Sequence, residues 1–240
     1  MEKQEFINEI ISKLKKINVN INEEIGEKFY KYTELLLEWN KKINLTAITD
    51  LDDIILKHYV DSLTINKYIT NNNRIIDIGT GAGFPGIPLK LLNKEKEFIL
   101  VDSLNKRVKF LEEVVNQLNI NNIEVIHARV EDLAKNNKYR ENIDIATSRA
   151  VANLSTLLEY MLPFVKINGV CICMKGPKIS EEINGAKNAI EILGGKIEKI
   201  ENINLPDTDI ERNIVIVKKI RPTPNKYPRK AGMPAKEPLN

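Results

Sequence analysis

A string of glycines near residue 80 has the composition of a ligand-binding turn. Four of the eleven glycines lie within eight residues, at positions 79, 81, 83 and 86. The preceding segment, residues 74–78, contains three β-branched isoleucines and predicts a short buried strand. Pro85 and Pro88 suit the first turn of a helix, where a missing N–H group costs little. Since glycines allow the backbone to approach a ligand closely, the stretch predicts a site for a nucleotide-like molecule.

The glycine string fits two different cofactor motifs. Residues 81–86 satisfy the dinucleotide fingerprint G-x-G-x-x-G, and Asp102 lies about 20 residues further on, as that fingerprint requires. Residues 77–83 read D-x-G-x-G-x-G and resemble the first motif of methyltransferases that use S-adenosylmethionine (SAM). In this second register the predicted cofactor-binding residues of the turn are Asp77, Gly79, Gly81 and Gly83. From the turn alone, an NAD-dependent oxidoreductase and a SAM-dependent methyltransferase are alternatives.

Strands and helices alternate along the rest of the chain. The predicted strands are 74–78, 97–102, 123–128, 143–147, 168–175, 196–201 and 212–218, and the predicted helices are 85–93, 104–118, 130–138, 152–165 and 179–193. Such alternation predicts a parallel sheet with helices on both faces. The short polar connection at residues 202–209 fits an antiparallel ending. A seven-stranded, doubly wound α/β sheet of this kind is the Rossmann-like form of class I SAM-dependent methyltransferases, whereas six parallel strands would favour a dehydrogenase.

Charged residues follow the predicted strands, at the sheet edge where open α/β folds bind ligands. Asp102 follows the second strand, where a carboxylate can accept hydrogen bonds from both ribose hydroxyls. Val130 and Glu131, after the third strand, are placed to contact adenine, and Arg149 and Lys175 follow the next two strands. Each carboxylate alone is better explained as a helix cap or dipole partner. Their joint placement favours a cationic cofactor beside a polyanionic substrate.

The sequence also narrows the acceptor chemistry by what it lacks. Residues 147–150 read Thr-Ser-Arg-Ala, not the Asn/Asp-Pro-Pro-aromatic turn of enzymes that methylate exocyclic amines. Neither Cys171 nor Cys173 follows a proline, as the nucleophile of cytosine-C5 enzymes does. An acceptor such as guanine N7 needs neither motif, because its lone pair can attack the sulfonium methyl group directly when the two are held in line. The predicted catalytic residues are Arg149 and Lys175, in positioning roles and without a general base.

Residues 1–70 predict a helical N-terminal extension. Apolar residues recur at steps of three or four between residues 21 and 43, and again between residues 6 and 17. Polar clusters at 40–46 and 58–62 are typical of functional loops. The predicted organisation is a helical extension at 1–70, a methyltransferase domain at 71–219 and a basic, proline-rich tail at 220–240.

Composition indicates an ordinary soluble protein, with 42% hydrophobic and 29% charged residues. No apolar run approaches the ~20 residues that span a membrane, and the first residues do not form a signal peptide, so a cytoplasmic location is expected. Cys171 and Cys173 lie two apart in an apolar run, which predicts buried thiols on one face of a strand. No metal site is predicted.

Positive charge is concentrated at the C-terminus. Residues 212–240 contain eight Lys or Arg residues and one acid, a net charge of +7, whereas the whole chain carries +3. Five of the ten prolines lie between residues 222 and 238, which predicts an extended tail. The charge suggests a polyanionic partner held partly by the tail, with a solvated tail or one packed against acidic residues as alternatives. The tail residues predicted to contact this partner are Lys226, Tyr227, Arg229, Lys230 and Lys236.

Over nearly its whole length the chain resembles the RsmG (GidB) family of bacterial 16S ribosomal RNA guanine-N7 methyltransferases. The segments that carry the resemblance are 36–40, 44–46, 58–62, 77–88, 102–107 and 227–239. Many methyltransferases share the glycine motif, whereas the Trp39-Asn40 segment and the tail are specific. One departure is Val130, where the family often has alanine.

The resemblance implies SAM as methyl donor, and N7 methylation of one guanosine in the decoding-region loop of 16S rRNA. The positions that it implies for SAM binding are Gly79, Phe84, Val130, Glu131 and Arg149. The expected partner is 16S rRNA or a small-subunit assembly intermediate, and a monomer is expected. A non-catalytic RNA-binding module on a methyltransferase fold is a third interpretation.

Overall fold

The computed structural model of the chain describes residues 1–69 and 74–239. Its sheet has seven strands in the order β3-β2-β1-β4-β5-β7-β6. The strands are β1 (Arg74–Ile78), β2 (Glu97–Asp102), β3 (Ile123–His127), β4 (Ile143–Arg149), β5 (Val165–Lys175), β6 (Gly195–Asn204) and β7 (Glu211–Lys219). Strand β7 is antiparallel to both of its neighbours, and the other pairs are parallel. This topology confirms the predicted seven-stranded, doubly wound α/β sheet.

Helices cover both faces of the sheet because both faces of its inner strands are apolar. Ile75 and Leu100 belong to one hydrophobic cluster, and their neighbours Ile76 and Ile99 belong to the other, as the alternation of side chains along a strand requires. The helices that follow β1 are α5 (Gly86–Leu92), α6 (Asn105–Gln117), α7 (Val130–Leu133), α8 (Leu154–Met161), α9 (Ile179–Ile192) and α10 (Met233–Lys236). Strand order reverses between β1 and β4, so ligands are expected at the carboxyl ends of these two strands.

The N-terminal segment is helical, as predicted, and packs on the face of the sheet that carries Ile75. Its elements are α1 (Lys3–Lys15), α2 (Glu23–Ile43), α3 (Leu51–Ile54), a π-helix (Ile55–Val60), α4 (Asp61–Leu63) and a 3₁₀ turn (Asn66–Tyr68). The polar cluster 58–62 is therefore helical, which corrects the predicted loop. Ile54, Ile55 and Tyr59 are fully buried, and this burial holds the segment as a helix. The predicted boundary at residue 70 lies outside the described residues.

Several predicted element bounds differ from the structure: the helix predicted at 152–165 spans Leu154–Met161, and the strand predicted at 196–201 spans Gly195–Asn204. The helix predicted at 130–138 ends at Leu133, because the Asn136 side chain accepts a hydrogen bond from the Lys138 N–H (2.9 Å) and forms a turn. Strand β5 begins at Val165, three residues before its predicted start. Cys171 and Cys173 are both fully buried in β5. No helix within residues 1–69 or 74–239 is long and apolar enough to cross a membrane.

Candidate active site

A crevice runs along the carboxyl ends of the parallel strands and consists of three adjoining cavities. The central cavity, about 410 Å³, is lined by Leu45, Thr46, His58, Gly79, Thr80, Gly81, Ala82, Phe84, Asp102, Ser103, Arg107, Arg149, Ala150 and Val151. The distal cavity, about 220 Å³, shares Gly79 and Asp102 with it and adds Val130, Glu131, Tyr160 and Ala235, among others. The basic cavity, about 530 Å³, shares His58 and Arg149 and adds Lys57, Asp61, Lys175, Glu182 and Arg212, among others.

The glycine turn forms the floor of the central cavity. Gly79 and Gly81 have φ values of +65° and +62°, which favour glycine. A Cβ atom at Gly79 would lie 2.7 Å from Val151 Cγ2, so the wall leaves no room for one. A Cβ at Gly81 would meet nothing closer than the Gly79 carbonyl at 4.0 Å, so space is open beside this backbone. Gly83 does not line the cavity; its missing side chain makes room for Tyr32 and Ile87.

Asp77 holds the glycine turn in shape from below. It is fully buried, and its Oδ2 accepts hydrogen bonds from Thr80 Oγ1 (2.6 Å) and the Gly86 N–H (2.9 Å). Within residues 1–69 and 74–239, its Oδ1 is the one buried side-chain oxygen or nitrogen without a hydrogen-bond partner. Burial raises the pKa of Asp77 to about 7. The structure therefore places Asp77 beneath the turn, where it acts on the cavity through backbone groups and charge.

Asp102 lies between the central and distal cavities, at the last position of β2. Its Oδ2 accepts a hydrogen bond from the Gly81 N–H (3.0 Å), and its Oδ1 accepts one from the Leu104 N–H (2.9 Å). The Arg107 guanidinium lies 3.4 Å from Oδ2. A carboxylate oxygen can accept two hydrogen bonds, so Oδ1, which accepts one, keeps capacity for a ligand, whereas Oδ2 already accepts from Gly81 and Arg107. Asp102 thus ties the glycine turn to β2 and faces both cavities.

Arg149, the last residue of β4, connects the central and basic cavities. Its Nη1 donates to the Lys57 carbonyl (2.9 Å) and to Asp61 Oδ2 (3.1 Å), and its Nη2 donates to His58 Nδ1 (3.2 Å). The guanidinium carbon lies 5.1 Å from the centre of the Phe84 ring. The planar fork of arginine makes all these contacts at once, which lysine could not do.

His58 is a neutral positioning group in this arrangement. Because its Nδ1 accepts from Arg149, its Nε2 carries the proton and donates to Thr46 Oγ1 (2.8 Å). The ring stacks on Phe84, with centres 4.3 Å apart and planes inclined by 12°. Burial, and then the charge of Arg149, lower the pKa of His58 to about 3. Its place in a π-helix accords with the frequent occurrence of such turns at functional sites.

Asp61 and Arg212 are site residues that sequence reasoning missed. Asp61 is 2% exposed, and it accepts hydrogen bonds from Arg149 and from Arg212 Nε (3.1 Å). The polar cluster 58–62 is visible in the sequence, but nothing in its spacing shows that it meets β4 and β7. Asn40, in the Trp-Asn segment, shapes the adjacent loop: its Oδ1 accepts from the Leu45 (2.6 Å) and Thr46 (2.9 Å) N–H groups.

Lys175 lies in the basic cavity, as its position at the end of β5 predicts, but it is paired. Its Nζ lies 2.6 Å from Glu182 Oε2 and donates to the Ala152 carbonyl (2.6 Å). Its side chain is 7% exposed. The structure brings Lys175 together with Arg149 and Arg212 around one cavity.

The tail packs against the domain, which corrects the predicted stacking of Tyr227 on RNA and gives Arg229 a partner within the protein. Tyr227 is 6% exposed, so its ring is not available for stacking on a base. Arg229 is bound to Glu159, with Nε–Oε1 and Nη2–Oε2 distances of 2.9 Å and 2.7 Å. The side chains of Lys226, Lys230 and Lys236 are exposed, and for them RNA contact stays a prediction.

Comparison with known proteins identifies the relatives of this chain. The model of the family described as "GidB: rRNA small subunit methyltransferase G" matches residues 25–215. A protein of Clostridium tetani named ribosomal RNA small subunit methyltransferase G is 52% identical over 225 residues, which cover 93% of this chain and 94% of the relative. The protein of the same name from Acetivibrio thermocellus is 53% identical over 222 residues, covering 92% of this chain and 91% of that one.

Solved structures show the same fold at low sequence identity. M. capricolum TrmK, solved with S-adenosylhomocysteine (SAH), superimposes with a TM-score of 0.53 and 20% identity, and the match covers 73% of each chain. Precorrin-6y C5,15-methyltransferase of Geobacter metallireducens gives a TM-score of 0.52 and 15% identity, covering 67% of this chain and 87% of that one. Both are methyltransferase folds of the class predicted from the strand pattern.

Proposed function

Since this chain belongs to the GidB family, rRNA small subunit methyltransferase G, we propose that it methylates N7 of one guanosine in the decoding-region loop of 16S rRNA. The family establishes a SAM-dependent rRNA methyltransferase, and the position of the methyl group is the proposed part. The single observation that carries the proposal is the crevice itself. It joins a cavity lined by a glycine turn and carboxylates to a cavity lined by cations, with Arg149 between them.

The central and distal cavities fit SAM. The open space at Gly81 admits the methionine part close to the backbone, and Asp102 offers an acceptor oxygen to the ribose hydroxyls. Val130 and Glu131 line the distal cavity, where the adenine would lie. The buried carboxylate of Asp77 lies beneath the turn, and its charge favours a cationic ligand. When bound there, SAM supplies an electrophilic methyl group on a positively charged sulfur.

Arg149 and His58 lie where the central cavity, the proposed cofactor site, meets the basic cavity. The Phe84 ring contacts both the His58 ring and the Arg149 guanidinium, which are hydrogen-bonded to each other, and it lines the central cavity beside Ala82. Because His58 stays neutral near pH 7 and both of its nitrogens are hydrogen-bonded, it is unsuited to act as a general base. This fits an acceptor that is nucleophilic without deprotonation, as guanine N7 is.

The basic cavity is the proposed site of the target guanine. It adjoins the central cavity through His58 and Arg149 and is larger than the distal cavity. Lys57, Lys175 and Arg212 line it and favour the phosphates that flank a base. Lys175 and Glu182 present a donor and an acceptor, the two kinds of group that a guanine edge requires. The protein's contribution to the rate would be in-line positioning within a preorganised field.

Two assays test this proposal against its alternatives. Isothermal titration with SAM, SAH and NAD should show binding of the first two and none of NAD; tight NAD binding would favour the oxidoreductase. Transfer of labelled methyl from SAM to 16S rRNA should be observed; binding without transfer would favour a non-catalytic RNA-binding module. Running the transfer on naked 16S rRNA and on small-subunit assembly particles identifies the preferred substrate. Light scattering during the same preparation tests the proposed monomer.

A further inference from the structure

The C-terminal segment Arg229–Glu237, here called the strap, reaches the rim of the distal cavity. Ala235 lines that cavity together with Glu131. The Gly232 N–H donates to Glu131 Oε1 (2.9 Å), and Glu131 is 3% exposed. The Pro234 carbonyl accepts a hydrogen bond from Thr156 Oγ1 (3.0 Å) on α8. The strap is therefore bonded to both elements that flank the cavity, α7 and α8.

Arg229, the first residue of the strap, bonds both to Glu159 of α8 and to the last residue of the strap. Arg229 makes a two-pronged contact with Glu159, and its backbone N–H also donates to Glu159 Oε1 (2.8 Å). Its Nη2 donates as well to the Glu237 carbonyl (2.7 Å), at the far end of the strap. The Glu159 side chain is 1% exposed, so its charge depends on Arg229 for compensation. Loss of Arg229 would free both ends of the strap.

We propose that the strap is part of the cofactor site. It forms the outer wall of the pocket that takes the adenine ring, and Arg229 is the positioning residue that holds it there. The inference rests on the proposed function in one respect, the placement of the nucleoside end of SAM in the distal cavity. The chemistry of the wall suits a purine: Val130, Tyr160 and Ala235 give apolar surface, and Glu131 gives an acceptor.

Cofactor binding and the position of the strap then affect each other, because the same residues serve both. Glu131 lines the cavity and accepts a hydrogen bond from the strap, and Ala235 belongs to the strap and lines the cavity. A ligand that binds the protein only when the strap is in place stabilises the strap in that position by mass action. Lys230 and Lys236 are exposed and offer trypsin two cleavage sites within the strap. In the wild-type protein, SAH should slow cleavage at these two sites and leave cleavage at exposed lysines of α2 unchanged.

Binding of SAH to Arg229→Ala tests the proposal directly. We expect SAH affinity to fall about tenfold or more, since the contacts of Arg229 no longer hold the strap against the cavity. Arg221→Ala is the matched control, because Arg221 is an exposed arginine of the same tail that does not line the cavity; its affinity should stay within about twofold. A wild-type protein that does not bind SAH would refute the proposed function. Wild-type affinity in Arg229→Ala would refute the strap alone.

A second pair of variants keeps the test valid if Arg229→Ala does not fold. Ala235→Trp places an indole on the cavity wall, and Ala231→Trp places one on an exposed strap position away from it. SAH should quench the added fluorescence of Ala235→Trp, because adenine would lie against the indole, and should leave that of Ala231→Trp unchanged. The native Trp39 is common to both variants and provides the background. Equal responses in the two variants would overturn the proposal.

Discussion

The two ends of the crevice are built in different ways. The central and distal cavities form the acidic end, whose backbone wall is one short glycine turn. Its three carboxylates lie within or just after three successive strands: Asp77 in β1, Asp102 at the end of β2 and Glu131 after β3. The basic end brings together Asp61 and Arg212, which are 151 positions apart, and joins them to Arg149. The glycine turn is thus encoded locally, whereas the strap wall of the distal cavity and the whole basic end form only in the folded chain.

This difference gives a rule for variants. Substitutions at the acidic end should change SAM affinity and leave RNA affinity intact, and substitutions at the basic end should do the reverse. Arg149 lies at the junction and should affect turnover most.

The largest effect is expected for Gly79→Val at the acidic end. The valine would need a φ near +65°, and its Cβ would lie 2.7 Å from Val151. Left-handed backbone costs about 1–2 kcal/mol, and the displaced wall adds to this, so SAM affinity should fall about a hundredfold or more in isothermal titration. Gly176→Val is the matched control, since a Cβ there meets no atom within 4 Å. Retained affinity in Gly79→Val with native circular dichroism would contradict the placement of the cofactor.

At the junction, Arg149→Lys should lower kcat/KM for methyl transfer about a hundredfold. Lysine keeps the charge but cannot reach Lys57, Asp61 and His58 together. Arg212→Lys serves as the comparison, because it also keeps a cation beside Asp61 and should lose less than about tenfold. Near-wild-type turnover of Arg149→Lys would remove this residue from the active site.

Asp102→Asn should weaken SAM binding about ten- to a hundredfold, because a carboxylate that accepts from hydroxyls contributes ~1.5–3 kcal/mol. Asparagine can still accept the Leu104 N–H bond, but its NH2 group would replace the oxygen that accepts from the Gly81 N–H, so the melting temperature should fall as well. Asp102→Glu should bind SAM better than Asp102→Asn does. Normal SAM binding by Asp102→Asn would exclude a direct contact between the Asp102 carboxylate and the cofactor.

The pH dependence of SAM binding should reveal Asp77. Its pKa in the folded protein is about 7 because of burial, above the usual value of 3.8, so the free energy of unfolding should fall as pH rises from about 4 to 7. A cationic ligand favours the ionised form, and about one carboxyl in ten is ionised at pH 6, so SAM affinity should rise about tenfold between pH 6 and 8. Asp77→Asn should remove this part of the rise. An identical profile in both proteins would exclude the charge of Asp77 from cofactor binding.

The smallest effect is expected in the tail, for Lys230→Ala. This exposed lysine is free of the strap contacts that Arg229 makes. One lost phosphate contact should reduce the slope of log affinity against log salt for RNA binding by roughly 0.7 and leave SAH affinity unchanged. Filter binding across a salt series measures the slope. An unaltered slope would exclude a phosphate contact by Lys230.

The contrast between the two ends also explains what the sequence could predict. The bounds of β1 and β2, the glycine turn and Asp102 follow from local periodicity and one motif, and the structure confirms the strand bounds. The pairing of Asp61 with Arg212 could not be predicted, because it depends on how an N-terminal helix meets β7. The tail shows the same limit: its prolines indicate an extended chain, but the burial of Tyr227 depends on a surface far away in sequence.

The central claim is that a guanine in the basic cavity receives the methyl group at N7. Borohydride reduction followed by aniline cleaves RNA at N7-methylguanosine, so the modified position can be mapped after reaction of 16S rRNA with SAM and the purified protein. We predict one new strand break, at a single guanosine of the decoding-region loop, that forms about a hundredfold more slowly when Arg149→Lys replaces the wild-type protein. Incorporation of labelled methyl without a break would place the methyl group on another atom and contradict this account.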